Sequence, residues 1–152
     1  MTREIKFRAW NEKLGMIYKS HLDQYDNSFE YNDMFLLDLE GRFWLDLNTS
    51  IDRSIDYDSL NQLEYELMQF TGLKDKNGKE IYEGDIVDLL HPCWSNISEV
   101  KYFENEACFG LESLEKINKG SRKSFLHIFQ EPYLKLKVLG NIYENKDLLK
   151  NT

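Results

Sequence analysis

The stretch from Leu67 to Val87 constrains the fold more than any other part of the chain, because it places tight reversals between strand-like segments. Asn77-Gly78 favours a type I′ hairpin turn, since both residues adopt positive φ at low cost. At Glu83-Gly84-Asp85 the glycine lets the backbone turn sharply before the apolar Ile86-Val87 pair. The segment therefore predicts three short strands, and it contains no nucleophile, phosphate-binding loop or metal-ligand pattern.

Similar short strands are predicted elsewhere in the chain. Residues 5–10 and 135–142 alternate apolar and charged side chains, which is the period of a half-buried strand. Residues 35–47 predict a hairpin that reverses at Gly41. Helical spacing predicts a short helix near residues 58–64, and a helical turn is expected at residues 144–149.

Many short strands bounded by Gly and Asn indicate a mainly β chain of antiparallel hairpins with one or two short helices. We expect a small SH3-like barrel over residues 67–143, although an open sheet fits the same pattern. The predicted division is an N-terminal β-hairpin subdomain, residues 1–66, and a C-terminal barrel subdomain, residues 67–152, which ends in the helical turn.

Acidic residues are concentrated in the N-terminal part. Between His21 and Glu66 there are twelve acidic and two basic residues, whereas the remainder holds fifteen acidic and seventeen basic ones. The acidic region is either a solvated face, a docking surface for a basic partner or a mimic of nucleic-acid charge. An acidic chain gains little from counterion release at phosphates, which argues against strong non-specific binding of nucleic acid.

The N-terminal residues, the short apolar runs and the two cysteines predict a cytoplasmic protein. Arg3 and Glu4 are charged where a signal peptide needs an apolar run, and the apolar run at residues 34–37 is too short to cross a bilayer. Cys93 and Cys108 do not form a disulfide framework, so we expect two free thiols in a reducing compartment.

Candidate catalytic and metal-binding residues are few. Glu83 and Asp85 could serve as acid and base only if their pKa values were pushed apart, and the alternative is that Asp85 accepts backbone N–H groups and fixes the turn. His91 and Cys93 are close in sequence, but no second ligand pair answers them. No nucleophile elbow, Walker loop or dinucleotide fingerprint occurs. We expect no catalytic residue, cofactor or metal, and a small hydrolase is the weakest alternative.

Two groups of residues are candidates for binding. A basic loop could contact single-stranded nucleic acid together with nearby aromatic rings and the lysines of the last strand, or it could be a solvated loop beside a lysine-protected edge strand. The loop residues are Lys116, Lys119, Arg122 and Lys123. Phe43 and Trp44 cannot face the same side of one strand, so one is exposed unless a partner covers it, which is a hint of self-association. Trp10 and Trp94 are expected in the core or in a subunit contact.

Four blocks of sequence carry a resemblance to a known family. They are residues 5–10, residues 67–87, Val100-Lys101-Tyr102 with Phe109, and residues 138–145. In these blocks the chain resembles the YopX-like family of phage and prophage proteins, whereas residues 20–63 match no family pattern. The resemblance implies a small, mainly β protein carried by a phage or prophage of a Gram-positive host, and it implies no established activity or catalytic residue.

The sequence therefore predicts a non-enzymatic protein-interaction protein that self-associates, binds an unknown host or phage protein, and has no membrane contact. A nucleic-acid-binding accessory protein that uses residues 116–123 is the alternative. Six residues are predicted to be structural: Asn77, Gly78, Glu83, Gly84, Asp85 and Gly140.

Overall fold

A computed structural model describes residues 5–12, 15–17, 34–37, 43–46 and 65–150, with the backbone alone for 34–37 and 43–46. The first strands are β1 (Phe7–Asn11), β2 (Gly15–Ile17), β3 (Met34–Leu37), β4 (Phe43–Asp46), β5 (Glu66–Lys74) and β6 (Glu80–Tyr82). They are followed by β7 (Asp85–His91), β8 (Trp94–Phe103), β9 (Cys108–Ser113), β10 (Arg122–Ser124) and β11 (Lys135–Asn141). Two short helices, α1 (Phe125–Gln130) and α2 (Lys146–Lys150), complete the described part, so the predicted mainly β class is confirmed.

Contacts divide the chain into two units, Lys6–Met68 and Gln69–Thr152 with Met1–Ile5, and the change occurs inside β5. The division into subdomains of residues 1–66 and 67–152 stays a prediction. Within the described residues, no helix has the length and apolar character needed to cross a membrane.

In the unit of residues 6–68, β1 pairs with β2 in an antiparallel hairpin. Ala9 is buried, with Phe7, Tyr65 and Leu67 packed against it. The alternation of residues 5–10 predicts Arg8 on the polar side of β1, but Arg8 is buried and its Nε donates to Met68 Sδ at 3.4 Å.

The predicted hairpin at residues 35–47 is present as an antiparallel pairing of β3 with β4, in which Leu36 lies opposite Trp44. The reversal at Gly41 and the helix expected near residues 58–64 lie outside the described residues, and so do the side chains of Phe43 and Trp44.

The unit of residues 69–152 contains an antiparallel five-stranded sheet in the order β10-β9-β8-β7-β11. Its end strands, β10 and β11, are not hydrogen-bonded neighbours, and the sheet is a curled half-barrel. That the barrel is SH3-like stays a prediction. One face of the sheet carries the core, onto which Phe125 and Ile128 of α1 pack. The buried core residues are Ile81, Val87, Leu89, Val100, Leu111, Phe125, Ile128, Leu136 and Val138.

The turn between β5 and β6 differs from the predicted type I′ turn. Gly78 has φ +85°, but Asn77 does not have positive φ. The N–H of Gly78 donates to the carbonyl of Asp75 at 3.0 Å, and the N–H of Asp75 donates to the carbonyl of Lys79 at 2.8 Å. This is a type I turn followed by a left-handed glycine, the usual three-residue hairpin loop. Asp75 favours this form because its carboxylate accepts the N–H of Asn77.

Two features of this unit are not indicated by the sequence analysis. Strands β7 and β8 are joined by a tight turn at Pro92 and Cys93, because His91 and Trp94 already pair across them. Helix α1 was not predicted, although Ser124 before an apolar run and Pro132 shortly after it are helix boundary signals.

Candidate functional site

Asp75 is a buried carboxylate that links the β5–β6 hairpin to β11. Its Oδ1 accepts the N–H groups of Asn77 (2.7 Å) and Lys79 (3.0 Å), and its Oδ2 accepts that of Val138 (3.0 Å). Burial raises the pKa of Asp75, but the three hydrogen bonds and the Lys79 charge together lower it by a larger amount. The pKa therefore lies below its ordinary value. Asp75 was not predicted as a structural or functional residue, although an Asp two residues before Asn77 is an Asx-turn signal.

The Glu83-Gly84-Asp85 corner is held by the same kind of bond. Asp85 is buried and its Oδ2 accepts the N–H of Tyr82 at 2.8 Å, while Glu83 Oε2 accepts the N–H of Gln69 at 3.0 Å. Gly84 has φ +72°, and its N–H donates to the carbonyl of Val100 at 2.9 Å. These are the contacts that the structural interpretation of the corner requires, rather than those of an acid and base pair.

Gly140 lies where two segments approach closely. A Cβ at this position would overlap the side chain of Asn145, whose Oδ1 accepts the N–H of Asn141 at 3.0 Å. The Oδ1 of Asn141 in turn accepts the N–H groups of Tyr143 (3.0 Å) and Glu144 (2.8 Å). The segment after β11 is thus a second turn held by side chains, in which the amide oxygens of Asn141 and Asn145 accept backbone N–H groups.

The structure places the predicted basic residues on different faces of the sheet. Residues 122–124, expected to be loop, form β10, and side chains alternate along a strand. Arg122 therefore lies on the face away from the core, 5.0 Å from the Phe103 ring centroid and 4.0 Å from Glu112 Oε2. Lys123 lies on the core face, with its Nζ 5.5 Å from the Trp94 ring centroid.

Lys135 and Lys137 are on β11, at the opposite edge of the sheet from β10. The structure therefore does not bring the two groups of basic residues together in one platform.

Acidic residues share the face that holds Arg122. Lys101 Nζ lies 3.3 Å from Glu99 Oε2 and 2.9 Å from Glu112 Oε2. Burial raises the pKa of Glu99, and nearby Glu112 also raises it, although Lys101 partly opposes both effects. Burial lowers the pKa of Lys101, but bonding to the two carboxylates outweighs burial and the pKa lies above its ordinary value. This cluster is internally paired.

A cleft of about 370 Å³ opens on the core face at the N-terminal end of β8. Trp94, which was expected in the core or in a subunit contact, is 44% exposed and stacks on His91 with ring centroids 5.0 Å apart. The residues that line the cleft and that matter for its chemistry are Leu89, Trp94, Asn96, Ser98, Glu115 and Lys123. Lys123 of the predicted basic loop thus meets the Trp94 ring here, whereas Arg122 meets the Phe103 ring on the other face.

A second concavity, a groove of about 310 Å³, lies beside α1. We call it the α1 groove; its floor is formed by Ile128, Leu134 and Leu136, and Phe129 is one wall. Three lysines also line it: Lys74, Lys76 and Lys135. No sequence signal led to this groove, because it depends on the helix that was not predicted.

Among the described residues, no three His, Cys, Asp or Glu side chains lie close enough to hold a metal ion together. His91 Nδ1 instead accepts the N–H of Cys93 at 3.2 Å. Cys93 and Cys108 are both free.

The chain matches a known protein family over nearly its whole length. Residues 6–150 match the family described as YopX protein. The chain belongs to the YopX family. No curated protein matches this member of the family.

Two solved structures are similar to this YopX-family chain. The crystal structure of protein EF1440 from Enterococcus faecalis is 28% identical, with a TM-score of 0.53, and the match covers 97% of this chain and 99% of that one. The crystal structure of protein yopX from Bacillus subtilis is 18% identical, with a TM-score of 0.54, covering 94% and 96%, and at this identity it shows the fold alone. Neither name states an activity or a partner.

Proposed function

We propose that this YopX-family chain is a non-enzymatic protein-interaction protein, encoded by a phage or prophage and acting in the cytoplasm of the bacterial host. The sequence resemblance supports the phage origin. The observation that carries the proposed interaction is an exposed apolar surface beside a basic groove.

That surface is made by α1 and the residues after it. Phe125 and Ile128 point into the core, so the other side of this helix faces solvent. There Leu126 is 70% exposed and Phe129 is 56% exposed, at positions i and i+3 on one helix face. Tyr133, just after the helix, is 68% exposed. Neighbouring large apolar side chains left in water are typical of an interaction site.

The α1 groove next to this surface indicates what would bind. Its apolar floor suits apolar side chains, and Lys74, Lys76 and Lys135 suit carboxylates. The carboxylate of Asp75 also lines the groove, but its oxygens accept three backbone N–H groups. The groove is therefore complementary to a protein segment with both acidic and apolar residues.

A second copy of the chain supplies such a segment. The acidic residues between His21 and Glu66 are interspersed with apolar runs such as Met34-Phe35-Leu36-Leu37. Opposite charges on the groove and on this segment favour a contact between copies. The occupant that we assign to the α1 groove is thus the acidic segment of another copy, which makes the chain a self-associating scaffold for host or phage proteins.

Light scattering during size exclusion tests this assignment. The parent chain is expected to self-associate at low salt and to do so less at high salt, since salt screens the lysine charges. Leu126→Ser with Phe129→Ser removes the apolar surface and is expected to give a monomer. Ile117→Ser is the matched control, because Ile117 is 93% exposed but lies outside α1, and it should leave the parent mass unchanged.

A parent chain that stays monomeric at high concentration and low salt would show the assignment to be wrong. An equal loss of mass in Ile117→Ser would also contradict it, since the effect would then be general to exposed apolar residues.

A nucleic-acid-binding accessory role through residues 116–123 has less support, because the basic residues do not form one broad surface. Arg122 and Lys123 lie on opposite faces, and the lysines of β11 are at the far edge of the sheet. A gel-shift assay with single-stranded DNA at low salt would detect such a surface, and mobility that does not change would remove this alternative.

A further inference from the structure

The cleft beside Trp94 has a floor that is partly apolar and partly polar. Leu89 and Leu111 are buried core residues at its base. Ser98 and Ser113 are also buried, and they face the same side of the sheet because they are paired across β8 and β9. Clefts of roughly 300–1,000 Å³ with apolar walls and a few convergent polar groups are typical small-molecule sites, and this one, at about 370 Å³, is in that range.

The polar groups of the floor have hydrogen-bonding capacity left over. Ser98 Oγ donates to Asn96 Oδ1 at 2.6 Å, and Asn96 Nδ2 donates to Ser113 Oγ at 3.0 Å. Asn96 lines the cleft, and its amide carries a second hydrogen. The floor therefore offers a donor from a side chain that two hydrogen bonds hold in place. A flat heterocycle with acceptor atoms on its edge satisfies such a donor while covering the leucines.

The walls of the cleft add an aromatic ring and a positive charge. Trp94 is fixed by stacking on His91, with 17° between the ring planes, and Lys123 lies over the Trp94 ring. Glu115 is partly committed to the scaffold, since its Oε1 accepts the N–H of Ile97 at 3.1 Å. Its other oxygen remains for an amino or hydroxyl donor of a ligand.

The loop before β10 contributes Asn118 and Ser121 to the cleft lining. The end of this loop is joined to Ser113, whose N–H donates to Ser121 O and whose carbonyl accepts the N–H of Gly120, both at 2.9 Å. Lys123, which follows the loop, also lines the cleft, and its ammonium group suits a phosphate.

We propose that this cleft binds a nucleotide, with the base over Leu89 and Leu111 against the Asn96 amide, and with the phosphate at Lys123. A free nucleotide and the terminal nucleotide of a single strand share this chemistry. The assignment is independent of the α1 groove, which lies elsewhere on the same unit and has different lining residues.

Nuclear magnetic resonance titration of the full chain tests the site. The probes are adenosine 5′-monophosphate, uridine 5′-monophosphate, adenosine, inorganic phosphate and a single-stranded deoxyadenylate octamer. At least one nucleotide is expected to shift the indole N–H of Trp94 and the amides of Ser98 and Ser113, and inorganic phosphate alone is not. If the octamer binds more tightly than the mononucleotide, the source is a strand; if it does not, the source is the free nucleotide.

Two neighbouring substitutions provide the control. Lys123→Gln is expected to weaken nucleotide binding about tenfold, the loss of roughly one charge-assisted hydrogen bond, and to leave adenosine binding unchanged. Arg122→Gln removes the same charge from the other face and should leave the nucleotide affinity unchanged. The proposal is overturned if no probe shifts these resonances at millimolar concentration, or if Arg122→Gln weakens binding as much as Lys123→Gln.

Discussion

Two sets of buried polar side chains in the unit of residues 69–152 are used in opposite ways. Asp75, Asp85 and Asn141 accept hydrogen bonds from backbone N–H groups of turns and strands. Ser98, which lines the cleft, and Ser113, which is paired with it across β8 and β9, are instead bonded to the side chain of Asn96. The first set, which we call the turn set, fixes the path of the chain; the second, which we call the cleft set, fixes other side chains.

The difference separates scaffold from candidate function. The turn set lies in the segments that carry the family resemblance, residues 67–87 and 138–145, and its side-chain oxygens accept backbone N–H groups. The cleft set faces a cavity and keeps spare hydrogen-bonding capacity. The sequence features that identify this YopX-family chain thus specify its architecture, and the surfaces available for binding lie beside them.

Replacing Asp75 is expected to have the largest effect on stability. Asp75→Ala leaves three backbone N–H groups without their acceptor, and the free energy of unfolding should fall by about 3 kcal/mol or more. Urea unfolding at neutral pH measures this loss. Asp75→Asn retains one acceptor oxygen and should lose less, and equal midpoints for the parent chain and Asp75→Ala would show that the turn set is not a scaffold.

Asp85→Ala is expected to cost less than Asp75→Ala. It removes the acceptor for the N–H of Tyr82 in a buried corner, a loss of about 2 kcal/mol. For a chain of this size the melting temperature should fall by about 4–8 °C. Glu83→Ala is the neighbouring control, since Glu83 is only half-buried and its loss should lower the melting temperature by less. A melting temperature equal to that of the parent chain would contradict the structural role of Asp85.

The contrast between the two sets also explains what could be predicted from the sequence. Turn residues such as Gly78 and Gly84 were predicted because the need for positive φ is local and glycine meets it. The bridging role of Asp75 was not predicted because one of its three donors, Val138, is distant in sequence. Val138 becomes a neighbour of Asp75 only when β11 joins the sheet.

The proposed binding surfaces likewise depend on contacts between residues that are distant in sequence, so they could not be predicted. Trp94 and Lys123 meet only because β9 lies between β8 and β10 in the sheet. Helix α1 has six residues, too few for a periodic pattern, and it is held by packing of Phe125 and Ile128 on the core. Neither the cleft nor the α1 groove could therefore be derived from spacing along the chain.

Acid should weaken the turn set, because the pKa of Asp75 in the folded chain lies below its ordinary value of 3.8. A depressed pKa contributes stability that is fully present above the unfolded value and is lost as the pH falls through the folded value. Below about pH 4 the parent chain is therefore expected to lose more stability per pH unit than Asp75→Asn, which has no carboxylate at this position. Urea unfolding over an acid series checks this, and identical slopes would contradict it.

The smallest change is expected in the cleft set. Ser98→Ala removes a hydroxyl that donates to Asn96, but it frees no backbone N–H group and Asn96 keeps its bond to Ser113. The free energy of unfolding should fall by about 1 kcal/mol or less, roughly half of the loss in Asp85→Ala. Urea unfolding of the two variants side by side makes the comparison. A loss in Ser98→Ala as large as that in Asp85→Ala would mean that the cleft floor is as much a part of the scaffold as the turns, and the distinction between the two sets would fail.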